Sequence, residues 1–86
     1  MDRLIIRGEP TQLFQRITVI QDNQKTETIG VQIDTFEDIV FELLKKYNLN
    51  RIDLSGPKAY TSGLEMKIRN AGVAQYSVTD LDIRYV

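Results

Sequence analysis

The groups that could support chemistry in this chain are its carboxylates and one strand-to-helix junction, because the 86 residues include no histidine and no cysteine. Imidazole and thiolate metal ligands are therefore absent, as are Ser-His-Asp and Cys-His nucleophiles. The acids Asp34, Glu37 and Asp38 stand where a helix is predicted to begin, and capping of that helix explains them. Ser-Lys and carboxylate-only catalysis stay open. We expect a protein that is not an enzyme and that holds no metal and no cofactor.

The junction Ser55-Gly56-Pro57-Lys58 is the candidate ligand site. It follows a predicted strand and opens a predicted helix, and ligands commonly bind at such junctions in open α/β sheets. Free helix amides, with Ser55, Gly56 and Lys58 around them, would hold a phosphate or a carboxylate. The alternative is a tight turn, in which Pro57 suits the first turn of the helix. The pattern favours the turn, and the anion site stays open as a hypothesis.

Two amphipathic helices are predicted to position these groups. The first carries apolar residues at spacings that place them on one face, namely Phe36, Ile39, Val40, Leu43, Leu44 and Tyr47. The second has a narrower stripe of Tyr60, Leu64, Ile68 and Ala71. Gly63 lies inside the second helix, where a glycine indicates a close approach to the sheet.

The strands alternate between apolar and polar residues, which is typical of a sheet with one buried and one open face. Right-handed crossovers place both helices on the apolar face. The prediction is one domain over residues 1–86, a two-layer α/β sandwich of N-terminal antiparallel strands followed by helix–strand–helix–strand. Its open face would carry Gln32, Arg51, Asp53, Asp82 and Arg84. Its core would consist of Ile17, Val19, Ile29, Val31, Ile33, Phe36, Ile39, Val40, Leu43, Leu44, Ile52, Leu54, Leu64, Ile68, Leu81 and Ile83.

This order of elements resembles that of ribonuclease H-like proteins without their last helix. Nucleases of that fold hold two metal ions on carboxylates of the first strand, the first helix and the fourth strand. Asp53 on the fourth strand and Glu42 on the first helix match this pattern, whereas the first strand, Arg3–Arg7, has no acid at its centre. The resemblance implies a nucleic-acid-associated protein, either degenerate or a metal-dependent phosphodiesterase.

The favoured function is a small non-enzymatic interaction module that associates with itself or with a protein partner. The segment Leu13–Gln21 has apolar residues on both sides of the strand, so Phe14 and Ile20 would need a cover that a partner subunit supplies. The opposite charges on the open face, those of Arg51, Asp53, Asp82 and Arg84, would pair across a two-fold axis.

Nucleic-acid binding is the alternative function. It would use the basic residues Arg51, Lys58, Lys67, Arg69 and Arg84, but the formal net charge of −1 provides no global attraction for a polyanion. No apolar run reaches the roughly 20 residues of a membrane span. We therefore expect no membrane partner. The absence of cysteine fits an intracellular protein, and we expect a cytoplasmic location.

Overall fold

A computed structural model describes all 86 residues, from Met1 to Val86. Its strands are β1 (Arg3–Arg7), β2 (Phe14–Gln21), β3 (Gln24–Gln32), β4 (Arg51–Ser55) and β5 (Asp82–Tyr85), and its helices are α1 (Phe36–Lys46) and α2 (Lys58–Ala71). They form one mixed sheet in the order β3–β2–β1–β4–β5. The first three strands are antiparallel neighbours, whereas β1, β4 and β5 run parallel. The predicted mixed α/β class is confirmed, and the likeness to ribonuclease H-like proteins stays a prediction.

The hairpin between β2 and β3 turns on two residues. Asp22 and Asn23 both have positive φ, of 53° and 63°. Positive φ at both central positions is typical of a type I′ turn, whose twist matches that of the flanking strands. Two of the predicted N-terminal antiparallel strands are thus joined by a hairpin with a tip of two residues, and β3 begins at Gln24.

One face of the sheet and both helices enclose a single hydrophobic core. Twelve of the sixteen predicted core residues are buried, and Ile29, Ile39 and Ile83 are partly buried against them. The prediction for Ile33 is wrong. Because β3 ends at Gln32, Ile33 enters a 3-10 turn and its side chain is 42% exposed. Leu4 and Ile6 of β1, both fully buried, belong to the core although they were not predicted there.

The ends of the helices differ from the sequence expectation. No side chain caps α1, which continues from the 3-10 turn Ile33–Thr35. The turn-forming run Asn70-Ala71-Gly72 predicts the end of the second helix, but the chain continues into a π-helical segment, Gly72–Tyr76. That segment stops where Ser77 adopts a left-handed backbone with φ 56°. That segment brings Tyr76 into a stack with Phe41, with ring centroids 4.3 Å apart. Neither helix is long and apolar enough to cross a membrane.

The close backbone approach expected at Gly63 occurs elsewhere. Nothing lies within 4 Å of the position that a Cβ on Gly63 would occupy, so that part of the prediction is wrong. A Cβ on Gly56 would instead lie 2.3 Å from the carbonyl oxygen of Gly8, and Gly56 has φ 125°. Only glycine tolerates both conditions, and the β4–α2 turn can therefore pack directly against the end of β1.

Candidate anion-binding site

The sheet face that points away from the helices collects basic side chains. The strand register places on it Arg3, Arg7, Arg16, Lys25, Arg51 and Arg84, together with the acids Asp53 and Asp82. Six basic and two acidic side chains give this open face a formal charge of +4. Since the whole chain carries −1, the rest of the molecule carries −5. The fold separates charges that nearly cancel in the composition.

Asp53 is the middle residue of β4, on the open face, and is only 3% exposed. Its carboxylate oxygens lie 3.0 Å from Nε of Arg3 and 2.9 Å from Nε of Arg51, and Nη2 of Arg51 adds a contact of 3.2 Å. A carboxylate enclosed by two guanidinium groups is already neutralised within its own chain. Asp53 and Arg51, which we predicted to face a partner, are therefore internal contacts of the domain.

Asp82 and Arg84 also pair with each other, on the edge strand β5. Nη2 of Arg84 lies 2.9 Å from the Asp82 carboxylate, and both side chains remain about half exposed. The hydrogen bonds from Arg84 lower the pKa of Asp82 below its ordinary value. These two charges stay accessible at the rim of the open face.

The least neutralised part of the face is a shallow depression of about 290 Å³, called here the basic depression. Arg7, Arg16 and Lys25 border it, Thr18 and Ser55 add hydroxyl groups, and Ile5 and Ile20 complete the lining. Arg16 and Lys25 form no ion pair within the chain. Arg7 contacts Glu9 at 2.9 Å, yet its side chain remains 61% exposed.

The register sets the two arginines of this depression directly opposite each other. Arg7 of β1 pairs with Arg16 of β2 across the antiparallel ladder. Like charges at directly opposite positions destabilise a sheet. An anion bound between the two guanidinium groups would remove that repulsion, so the geometry is suited to a phosphate or a carboxylate.

The loop between β1 and β2 holds the carboxylate of Glu9 close to Arg7. Gln15 is almost fully buried, and its side-chain oxygen accepts a hydrogen bond of 2.9 Å from the backbone N–H of Glu9. This contact ties the loop back onto β2 and places Glu9 beside Arg7. Glu9 neutralises only one of the three cations around the depression.

The three residues predicted to form the junction site are not brought together as one site. Ser55 borders the basic depression, next to Arg7 in the register. Gly56 forms the tight turn against Gly8, whose N–H donates to the Ser55 carbonyl at 2.8 Å. The ammonium group of Lys58 lies over the ring of Tyr85, 5.4 Å from its centroid. The turn interpretation therefore explains Gly56, and only Ser55 joins the anion site.

The two predicted interface residues on β2 also have different surroundings. Ile20 is 8% exposed, and its direct neighbours in the register are Arg3 and Lys25. Long basic side chains commonly cover apolar surface with their aliphatic stems. Phe14 is 51% exposed and packs beside Gly30. The chain itself supplies the cover for Ile20, whereas one side of Phe14 remains open.

Sequence reasoning missed Arg7, Arg16 and Lys25 as site residues. The sequence does contain one indication of the site, the alternation of side chains along β1. Arg3, Ile5 and Arg7 point to one face of the sheet, and the buried Leu4 and Ile6 point to the other. The apolar Ile5 masks that alternation. The pairing of β1 with β2, which unites the basic residues, depends on contacts between separate segments of the chain.

Comparison with known proteins supplies no family. No protein-family model, no curated protein and no solved structure matches the chain. The fold and the site thus define the class by themselves: a small α/β domain with a basic open sheet face.

Proposed function

We propose that this protein is a non-enzymatic interaction module that binds the phosphate backbone of nucleic acid through the open face of its sheet. The observation that supports this most directly is the opposed pair Arg7 and Arg16, which are set against each other without a shared counter-ion. A fold gains nothing from that repulsion by itself. A phosphate bound between Arg7 and Arg16 would neutralise both guanidinium groups and remove their repulsion.

The type of cation favours phosphate as the ligand. Five of the six basic residues on the open face are arginines, and Lys25 is the sixth. The planar guanidinium fork matches two phosphate oxygens at once, and it gives up hydration more readily than an ammonium group does. A row of arginines on an uncovered sheet is therefore suited to a repeating polyanion.

The charge distribution also limits the affinity. Arg7, Arg16 and Lys25 are the basic residues available without breaking either the ion cluster at Asp53 or the pair of Asp82 and Arg84. Three phosphate contacts correspond to weak, strongly salt-dependent binding, with a Kd of about 1–100 μM as is typical of nonspecific complexes. The acidic remainder of the molecule would confine the polyanion to this one face.

We expect the double variant Arg7→Ala/Arg16→Ala to bind a labelled single strand of about 12 nucleotides at least tenfold more weakly than the wild type at low salt. Each phosphate contact that is lost should make the dependence of log Kd on log salt shallower by about 0.7, because fewer counterions are released. Fluorescence anisotropy over a range of salt concentrations measures both quantities.

The matched control is Lys45→Ala/Lys67→Ala, which removes the same net charge from exposed, unpaired positions on the two helices. It should bind almost as the wild type does. An equal loss in this control would mean that net charge alone attracts the strand. Wild-type protein without any salt-dependent binding would contradict the proposed function.

Self-association, the function favoured by the sequence, is the second candidate, and one observation supports it. The edge strand β3 has nine residues, of which only Val31 is buried, and no further strand covers it. An uncovered edge offers free amides and carbonyls to a second copy. Light scattering at about 100 μM, where a dimer of roughly −5.5 kcal/mol is half formed, should then show a dimer. A monomer at that concentration would contradict the candidate.

A further inference from the structure

Phe14 and its surroundings form a second feature of the open face, adjoining the basic depression. A recess of about 330 Å³ is lined by Glu9, Gln12, Phe14, Arg16, Thr28, Ile29 and Gly30. Carbon atoms of Phe14 lie 3.7–3.8 Å from the position that a Cβ on Gly30 would occupy. The ring lies over Gly30 at ordinary van der Waals distance from that position, and about half of the Phe14 surface stays exposed to solvent.

We propose that Phe14 is a stacking platform for one nucleobase of a single-stranded nucleic acid, an inference that rests on the proposed function. Exposed aromatic rings beside a basic groove bind unpaired bases of any sequence through their π faces. In a duplex the faces of the bases are already stacked on each other. The platform therefore selects for single strands.

Arg16 connects the recess to the phosphate site. It lines both the recess and the basic depression. Phe14 and Arg16 are two positions apart on β2 and lie on the same face, about 6.6 Å apart along the strand. One nucleotide bridges such a distance between its phosphate and its base. A phosphate held at Arg7 and Arg16 thus places a base at the Phe14 ring.

The rim of the recess supplies hydrogen-bonding groups for the edge of a base. Gln12 contributes an amide, Thr28 a hydroxyl and Glu9 a carboxylate. Thr28 is already bonded to Thr18, and Glu9 to Arg7, so only Gln12 has no side-chain partner within the domain. With one free amide at the rim, stacking rather than edge recognition dominates, and sequence preference should be slight.

The test compares two single strands of about 12 nucleotides, one of thymidine and one with abasic sites throughout. Both carry the same phosphates, so any difference in Kd reports the bases. One stacked base is worth about 1–3 kcal/mol, so wild-type protein should bind the thymidine strand about 5- to 150-fold more tightly. Phe14→Leu keeps an apolar cover over Gly30 but lacks the π face. It should bind both strands equally, with the salt dependence of the wild type, and Phe14→Tyr should restore the difference.

The outcomes separate the stacking inference from the proposed function. Equal binding of both strands by wild-type protein would overturn the stacking platform and leave phosphate binding in place. A preference for the thymidine strand that persists in Phe14→Leu would also overturn it. Binding of neither strand at low salt would overturn the proposed function, and the inference with it. Unfolding curves for both variants establish that the comparison is made on folded protein.

Discussion

Replacing Leu64 with alanine is expected to lower the free energy of unfolding by about 2–5 kcal/mol. Leu64 is 2% exposed and belongs to the core that α2 shares with the sheet. Its Cδ1 lies 3.1 Å from the position that a Cβ on Gly8 would occupy, so it packs against the end of β1. Truncation removes apolar contacts and leaves a cavity that the surrounding backbone cannot close. Denaturant unfolding measures the change.

The control for this prediction is on the same helix. Met66 is 64% exposed, and Met66→Ala should change stability by less than about 0.5 kcal/mol. Leu43→Ala, at a buried position on α1, should resemble Leu64→Ala. Losses below about 1 kcal/mol at both leucines would show that the two helices do not pack as described.

Replacing Asp53 with alanine is the second large expected effect, a loss of about 3 kcal/mol. The change leaves the guanidinium groups of Arg3 and Arg51 side by side without their carboxylate. Both arginine side chains are mostly buried, with exposed fractions of 25% and 17%, so water only partly replaces the lost partner. The repulsion of two uncompensated cations adds to this cost.

Asp82→Ala is the matched control, since it also removes a carboxylate from the open face. Asp82 pairs only with Arg84 at the exposed edge, and the free guanidinium can turn to water. Its unfolding midpoint should stay close to that of the wild type. If the two variants unfolded alike, Asp53 would be an ordinary surface charge and not the centre of an ion cluster.

The close approach of β4–α2 to β1 shows where sequence reasoning reached its limit. Gly63 and Gly56 are both glycines near a predicted helix, and the sequence offers no way to tell which of them touches another segment. The distinction appears only when Gly8, 48 positions earlier in the chain, lies against Gly56. Contacts of this kind carry no local signal in either segment.

The same limit applies to the anion site. Ser55 can be predicted as a site residue because the strand, the glycine and the proline follow one another in the chain. A sequence motif detects only residues that are close together in the chain. Arg7 and Arg16 belong to one site because β1 and β2 are antiparallel in one particular register. A shift of one residue in that register would turn one of the two arginines toward the core.

The sequence by itself determined the elements and their buried faces, because apolar spacing along a helix or a strand is a local property that burial enforces. It thereby determined the two-layer α/β class and most of the core. Tertiary structure alone decided which charged side chains lie close together. The position of Asp53 in an alternating strand predicts an exposed acid on the surface. Asp53 is buried instead, because Arg3 of the neighbouring strand lies against its carboxylate. Net charge is a sum over the chain, whereas an electrostatic surface depends on the side chains that strand pairing brings together.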